Sequence, residues 1–300
     1  MNRRQFLGVA AGFAIANGQE HRIIDTHTHF YDPARPQGVP WPPKAETMLY
    51  RSVLPLEYER FARPLGVTGT IVVEASPWLE DNQWVLDVAQ RDPFVVGLVG
   101  HLEPGKSEFK AHLERFRRNP LFLGIRVGDE AVSNALTGVA YASDFQLLAE
   151  TGLEVDALGS LSTELVRFAD RFWSLRMVIE HLPGEPPADP VKREAARRTL
   201  GELGQRGHVF GKVSGVLRRV NGRVPLDVEF YRPALDELWE SFGPDRLIYG
   251  SNWPVCELVA PYAEVQKVVM EYFDGKGRDA AERFFWKNSR RAYRWTDIAR

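Results

Sequence analysis

The stretch Ile23-Ile24-Asp25-Thr26-His27-Thr28-His29 decides the fold of this chain and raises the question of its chemistry. An apolar start followed by His-x-His reads as a β-strand. Side chains alternate along a strand, so the two imidazoles leave its end on the same side. Two such rings reach a common ion at about 2.0–2.1 Å each. Alone, such a pair is more often two half-exposed polar residues on one sheet face. A third strand-end histidine, His181, and a late Gly250-Ser251-Asn252-Trp253-Pro254 run shift the balance toward a metal site.

Outward from this strand, short β-branched runs alternate with segments of helical spacing over the rest of the chain. The strand runs are Arg22–Thr26, Thr68–Val73, Phe94–Val99, Phe122–Val127, Leu153–Val155, Arg176–Ile179, His208–Val213 and Arg246–Tyr249. Apolar residues recur at helical spacing in Leu54–Leu65, Asp81–Gln90, Ser107–Arg118, Asp144–Glu150, Thr163–Phe172, Val191–Arg206, Leu235–Phe242 and Pro261–Tyr272. Gly66, Pro120, Gly152, Gly207 and Gly243 punctuate the junctions. Eight strand–helix repeats in this length predict an α/β fold of the (β/α)8 TIM-barrel type, with residues 19–300 as one domain. The long, proline-rich loop from Tyr31 to Arg51 leaves the first strand at the active-site face and reads as a substrate lid. The aromatic, arginine-rich end around Trp286, Arg290, Tyr293 and Trp295 reads as a closing helix packed on the barrel.

Composition narrows the function. The 300 residues are 44% hydrophobic and 26% charged, with net charge −2 and a pI near 6.4. That is an ordinary globular balance, with no basic stripe interleaved with aromatics and so no case for nucleic acid. Cys256 is the single cysteine, which excludes an intrachain disulfide, and it reads as a small packed side chain. The start, Met1-Asn2-Arg3-Arg4-Gln5-Phe6-Leu7-Gly8, resembles a twin-arginine export signal, with Ala14-Ile15-Ala16 as a small-x-small cleavage site. Residues 1–18 are therefore expected to be a signal segment and the protein periplasmic or otherwise exported. The apolar stretch is too short to span a membrane. The expected partner is a small-molecule substrate, and the oligomeric state is left open.

Barrel enzymes carry their chemistry at the C-terminal ends of the strands. Those positions here hold His27 and His29, Glu74, His101, Arg126, Asp156, Glu180 with His181, Lys212 with Ser214, and Ser251 with Asn252. Charged and imidazole groups at nearly every strand end are hard to explain as packing. His27, His29 and His181 are the candidate metal ligands, for one divalent ion, with zinc the common ion that suits histidines. Arg126 offers a fixed fork of donors to a substrate carbonyl or carboxylate, and His101 is a second substrate-binding candidate. Lys212 is expected to pair with a neighbouring carboxylate. Trp41, Trp78 and Trp253 suit stacking on a sugar ring.

The Ile-Asp-Thr-His-Thr-His-Phe stretch, Glu180-His181-Leu182-Pro183-Gly184 and Leu247-Ile248-Tyr249-Gly250-Ser251-Asn252-Trp253-Pro254-Val255 together resemble the amidohydrolase superfamily, over roughly Ile23 to Trp295. Within it, the chain looks most like the branch of fuconolactonase-type sugar lactonases and the pyrone dicarboxylate lactonase. The resemblance implies a (β/α)8 barrel that hydrolyses lactones, with one divalent metal in some members and none in others. It implies His27, His29 and His181 as the three family histidines. A neighbouring branch decarboxylates aromatic and unsaturated acids. The chain departs from the pattern at one place: the family's Gly-Ser-Asp-Trp-Pro has become Gly-Ser-Asn-Trp-Pro. An amide is no general base near neutral pH and is a weaker ligand than a carboxylate. Catalytic candidates are accordingly His181, Asn252 and Glu74, with Glu74 as the substitute base and Glu257 behind it. Metal-assisted lactone hydrolysis is the leading reading. A metal-dependent decarboxylase and a sugar- or acid-binding barrel that has lost its base are the alternatives.

Overall fold

The computed structural model describes residues 22–297; the proposed signal segment lies outside them. Eight strands form one parallel sheet in consecutive order: β1 (Ile23–Thr28), β2 (Val67–Val73), β3 (Val95–Gly100), β4 (Phe122–Val127), β5 (Glu154–Ala157), β6 (Arg176–Leu182), β7 (Val209–Val213) and β8 (Leu247–Tyr249). Between and after them run α1 (Pro55–Ala62), α2 (Leu79–Arg91), α3 (Phe109–Phe116), α4 (Asp129–Thr137), α5 (Val139–Thr151), α6 (Thr163–Arg171), α7 (Pro190–Gly204), α8 (Val228–Phe242), α9 (Tyr262–Gly275), α10 (Arg278–Glu282) and α11 (Asn288–Tyr293). The barrel expected from the eight repeats is the fold observed. Among the described residues no helix is long and apolar enough to cross a membrane.

Three details differ from the expectation. Two helices follow β4, not one. Asp129 and Glu130 lie in the first turn of α4, where carboxylates meet the positive helix end, but its apolar stripe is short and escapes a periodicity search. Strand β5 ends two residues later than its apolar run, because Asp156 continues it as an inward-facing charge. Strand β6 likewise runs on through Glu180 to Leu182.

The barrel interior is filled by Ile24, Ile71, Val73, Val99, Leu123, Val178, Phe210 and Ile248, plugged from below by Tyr293 and Trp295. Each such buried aliphatic contributes roughly 1.5–3 kcal/mol relative to exposure. The plug is the closing aromatic segment expected from the sequence. Arg290 lies 4.4 Å over the Trp295 ring, and Arg22 reaches Asp297 at 2.7 Å. A second, larger core joins the outer faces of the strands to the helices.

Closure occurs where β8 meets β1. The Asn252 N–H donates to the His27 carbonyl at 2.8 Å and the His29 N–H to the Trp253 carbonyl at 2.9 Å. Buried Asp25 braces this seam from behind. It accepts the N–H groups of His27 (3.0 Å) and Ser251 (2.8 Å) and the hydroxyl of Tyr58 (2.5 Å) on α1. Strict alternation would put Asp25 and His27 on one face. The β1–β2 pairing shifts register between Asp25 and Thr28, so Asp25 meets the helical layer while His27 reaches the barrel centre. Gly250 lets the strands close: a Cβ there would lie 2.8 Å from Cβ of His27.

A candidate active site at the barrel mouth

His27, His29 and His181 converge at the C-terminal ends of β1 and β6. The His27 ring centroid lies 4.7 Å from that of His181 and 5.0 Å from that of His29. His27 is fully buried, and neither of its ring nitrogens has a hydrogen-bond partner among the described residues. Burial, reinforced by the Lys212 charge, holds its pKa well below the usual histidine value. Burial, with Arg126 nearby, takes His29 down to about 4. His181 also falls to about 4, for burial outweighs the favourable pull of Glu180. All three rings are thus neutral at pH 7, the form that binds metals.

The two expected partners of His27 differ in what they offer it. His181 Nδ1 pairs with Ser214 Oγ at 3.1 Å; Arg126 Nη2, which can only donate, lies 3.4 Å from Nε2, so the lone pair belongs on Nε2 and the proton on Nδ1. His29 gives its Nδ1 proton to the Val73 carbonyl at 3.0 Å, and its Nε2 lies 3.1 Å from the Asn252 amide. The atom facing the ring is Asn252 Oδ1; because a neutral ring so protonated carries a lone pair at Nε2, the amide has to turn its –NH2 to the ring to satisfy it. The ligand atoms that lie within 4.8 Å of one another belong to His27, Glu180 and His181. The sequence placed Glu180 in the sixth strand but gave it no role. Its signal is parity: it sits two residues beyond Val178, which faces the barrel interior.

Around Glu180 runs a buried charge network. Its Oε2 accepts from Arg126 Nε at 2.6 Å and its Oε1 from Lys212 Nζ at 3.2 Å. Burial would raise its pKa, but Arg126 and Lys212 hold it well below the usual carboxylate range. Lys212 also donates to Asp156, as expected for a paired lysine, and Tyr293 OH donates to the other oxygen of Asp156 at 3.0 Å. Arg126 continues outward: Nη2 lies 3.4 Å from His181 Nε2 and Nη1 3.8 Å from Glu74. Burial raises the pKa of Glu74 above the ordinary glutamate value despite that guanidinium. Arg126 and Glu74 are therefore both brought to the histidines, as the sequence suggested.

Other candidates fall elsewhere. Trp253, expected to touch substrate, is fully buried. The backbone turns at Asn252, with φ 62°, and sends the indole beneath the loop against Tyr58 (5.0 Å) and Phe61 (5.6 Å), where its Nε1 donates to Glu257. Glu257 is taken up there and by Arg51 at 3.3 Å. His101 has its backbone clamped by the Asn82 side chain, at 2.9 and 2.7 Å. Among the described residues no hydrogen bond ties its ring to the cluster. Trp41 does reach the site, edge-on to His29 at 5.7 Å. The loop that carries it is tied to its neighbours by Arg35 to Asp81 (2.8 Å) and by Arg51 to Glu57 (2.6 Å). Cys256 is buried, as expected. His181 (φ 57°) and Asn252 are non-glycine residues in left-handed backbone at the strand ends, a conformation found disproportionately at functional sites.

The donor set and the unpartnered nitrogens of His27 fit a divalent ion, since two histidines and a glutamate are a zinc combination. Residues 24–295 match the amidohydrolase family. The chain is 32% identical over 245 residues to an L-fucono-1,5-lactonase of Burkholderia ambifaria, covering 80% of this chain and 83% of that one. It is 27% identical to an L-fucono-1,5-lactonase of Burkholderia multivorans, with 87% and 91% covered. Its fold superposes with TM-score 0.80 on a crystal structure of a B. multivorans amidohydrolase with bound zinc, at 23% identity and with 92% and 100% covered. With these matches spanning nearly all of the barrel, the chain belongs to the amidohydrolase family and is an enzyme of the hydrolase kind.

Proposed function

We propose that this enzyme hydrolyses a lactone. The observation that carries the reading is the cluster of neutral, buried His27 and His181 with Glu180 and Arg126, and beside it Glu74, a carboxylate of raised pKa. The lactonase relatives support the substrate class. Water adds to the ring carbonyl and the acyl C–O bond opens. The hydrogens of water end on the new carboxylic acid and the new hydroxyl. Glu74 takes the proton from the attacking water. Glu74 also lines, with Trp41, a cavity of about 20 Å³ with room for one water, which His27, His181, Glu180 and Arg126 do not line. The Arg126 N–H groups not given to Glu180 face the carbonyl oxygen, and Ser214 fixes the tautomer of His181. A panel of lactones assayed by acid release tests the reading; no turnover of any lactone by ion-loaded enzyme overturns it.

His27, His181 and Glu180, whose ligand atoms converge, would hold a divalent ion, with zinc our choice; His29 stands beside them with its Nε2 at Asn252. When bound, such an ion polarises the carbonyl and lowers the pKa of water toward about 7. Arg126 Nη2 competes for the His181 lone pair, and no carboxylate stands at residue 252, so binding is expected to be weak for the family. Elemental analysis should find about one ion per chain after reconstitution, none in His27→Ala, and tighter binding in Asn252→Asp. Wild type that takes up neither zinc nor manganese would instead indicate a metal-free reaction. We propose export by the twin-arginine route as well. Changing Arg3 and Arg4 to lysine should trap the protein in the cytoplasm; undiminished periplasmic yield would refute it.

A further inference from the structure

We propose that the lactone carries an aliphatic substituent, an alkyl or acyl chain, seated in the groove that leads from His181 between the end of β6 and the first half of α7. The proposal rests on the hydrolase reading above and narrows its substrate. The first argument is room. Toward the β1–α1 loop, Trp41 and Glu74 line only a separate cavity of about 20 Å³, which none of the three histidines lines. Toward α7, a groove of about 1020 Å³ opens directly from His181 and Glu180. That is space for a group of drug-like size, well beyond one small ring.

The second argument is the lining. Leu158, Leu161, Leu182, Pro183, Pro187 and Leu200 form much of the wall, and no phenylalanine, tyrosine or tryptophan is among the lining residues described. A bare sugar ring presents hydroxyls and is held by hydrogen bonds and aromatic faces. Of the three tryptophans the sequence offers for that purpose, Trp253 is buried and Trp78 lines none of the cavities described. Glu185, Lys192, Glu194 and Arg218 also line the groove, and other charges there are already answered. Arg197 meets Glu237 at 3.4 Å, and Arg193 donates to the carbonyls of Pro187 and Ala188. The third argument is the helix. The second half of α7 packs Leu200 and Leu203 into the core, whereas its first turn stands clear, with Val191 78% exposed. The gap left between that turn and β6 has walls that favour methylenes and a floor that ends at the reacting centre.

The test is kcat/KM on δ-lactones of growing side chain, from δ-valerolactone through δ-octalactone to δ-decalactone, beside L-fucono-1,5-lactone. Burial of a chain predicts a rise of about fourfold per methylene. Leu158→Asp with Leu161→Asp, both at solvent-accessible positions, should flatten that slope. Turnover of the sugar lactone with a flat or falling response to chain length overturns the proposal and leaves the hydrolase reading intact. If no lactone is turned over, the hydrolase reading fails, and binding of the matching alkyl δ-lactams decides the groove. A Kd that tightens with chain length upholds it, and a constant Kd ends it.

Discussion

Glu74→Gln is expected to slow lactone turnover by about 10²–10⁴-fold, the usual contribution of a general base, with ion content near that of the wild type. Glu74 directly follows β2, its N–H fixed on the Val99 carbonyl at 2.8 Å. Its carboxylate sits beside Arg126 and not among the ligand atoms of His27, Glu180 and His181. Burial raises its pKa from the ordinary 4.5, and Arg126 only partly offsets this. The base acts when deprotonated, so kcat/KM should climb with pH through this raised value, and the climb should vanish in the glutamine variant. Steady-state kinetics over pH 4–8 (roughly the range below which other carboxylates intrude) would show it. Undiminished turnover in Glu74→Gln would place the proton elsewhere.

The second large effect is on stability. Lys212→Met keeps the volume of the stem but removes the ammonium that holds Asp156 and Glu180 together in full burial. Breaking a buried pair by deleting one partner costs roughly 3–5 kcal/mol, because the remaining charge is left without compensation. Urea unfolding at pH 8 should show a loss of this order. Burial already raises Asp156 to about 7, against the pull of Lys212. Without the lysine its pKa goes higher still, so the folded variant binds a proton as pH falls and its deficit should shrink toward pH 6. Adding Asp156→Asn should recover part of the loss. A deficit below about 1 kcal/mol at pH 8 would mean that the network is not needed for folding.

Much of this was legible in the sequence because barrel strands are short, apolar and evenly punctuated. All eight runs match observed strands. What was misread has a common physical origin: a one-dimensional pattern does not say which way a side chain turns once the backbone leaves the strand. Trp253 follows a left-handed Asn252, and that single φ turns an apparent mouth residue into core. His-x-His spacing is right about the shared location of His27 and His29. It is silent about the proton on His29 Nδ1, which the Val73 carbonyl decides from a neighbouring strand. Parity with Val178 points Glu180 inward, but its role comes from Arg126, Lys212 and His27, on three other strands, which no local window shows. Lys212 was easier, since a lysine inside a barrel needs a carboxylate whatever its address.

The seam between β8 and β1 has a consequence in time as well as in space. His29 and Asn252 face each other across 223 positions of chain, and Asp25 and Ser251, whose hydrogen bond braces the seam, are 226 apart. A nascent chain that has released its first seven strands holds His27 and His181, with Arg126 and Ser214 beside His181, but lacks Ser251 and Asn252, which close the seam at His27. The reacting centre is assembled by the last strand to leave the ribosome, so fragments shortened at the C-terminus should be inert rather than partly active.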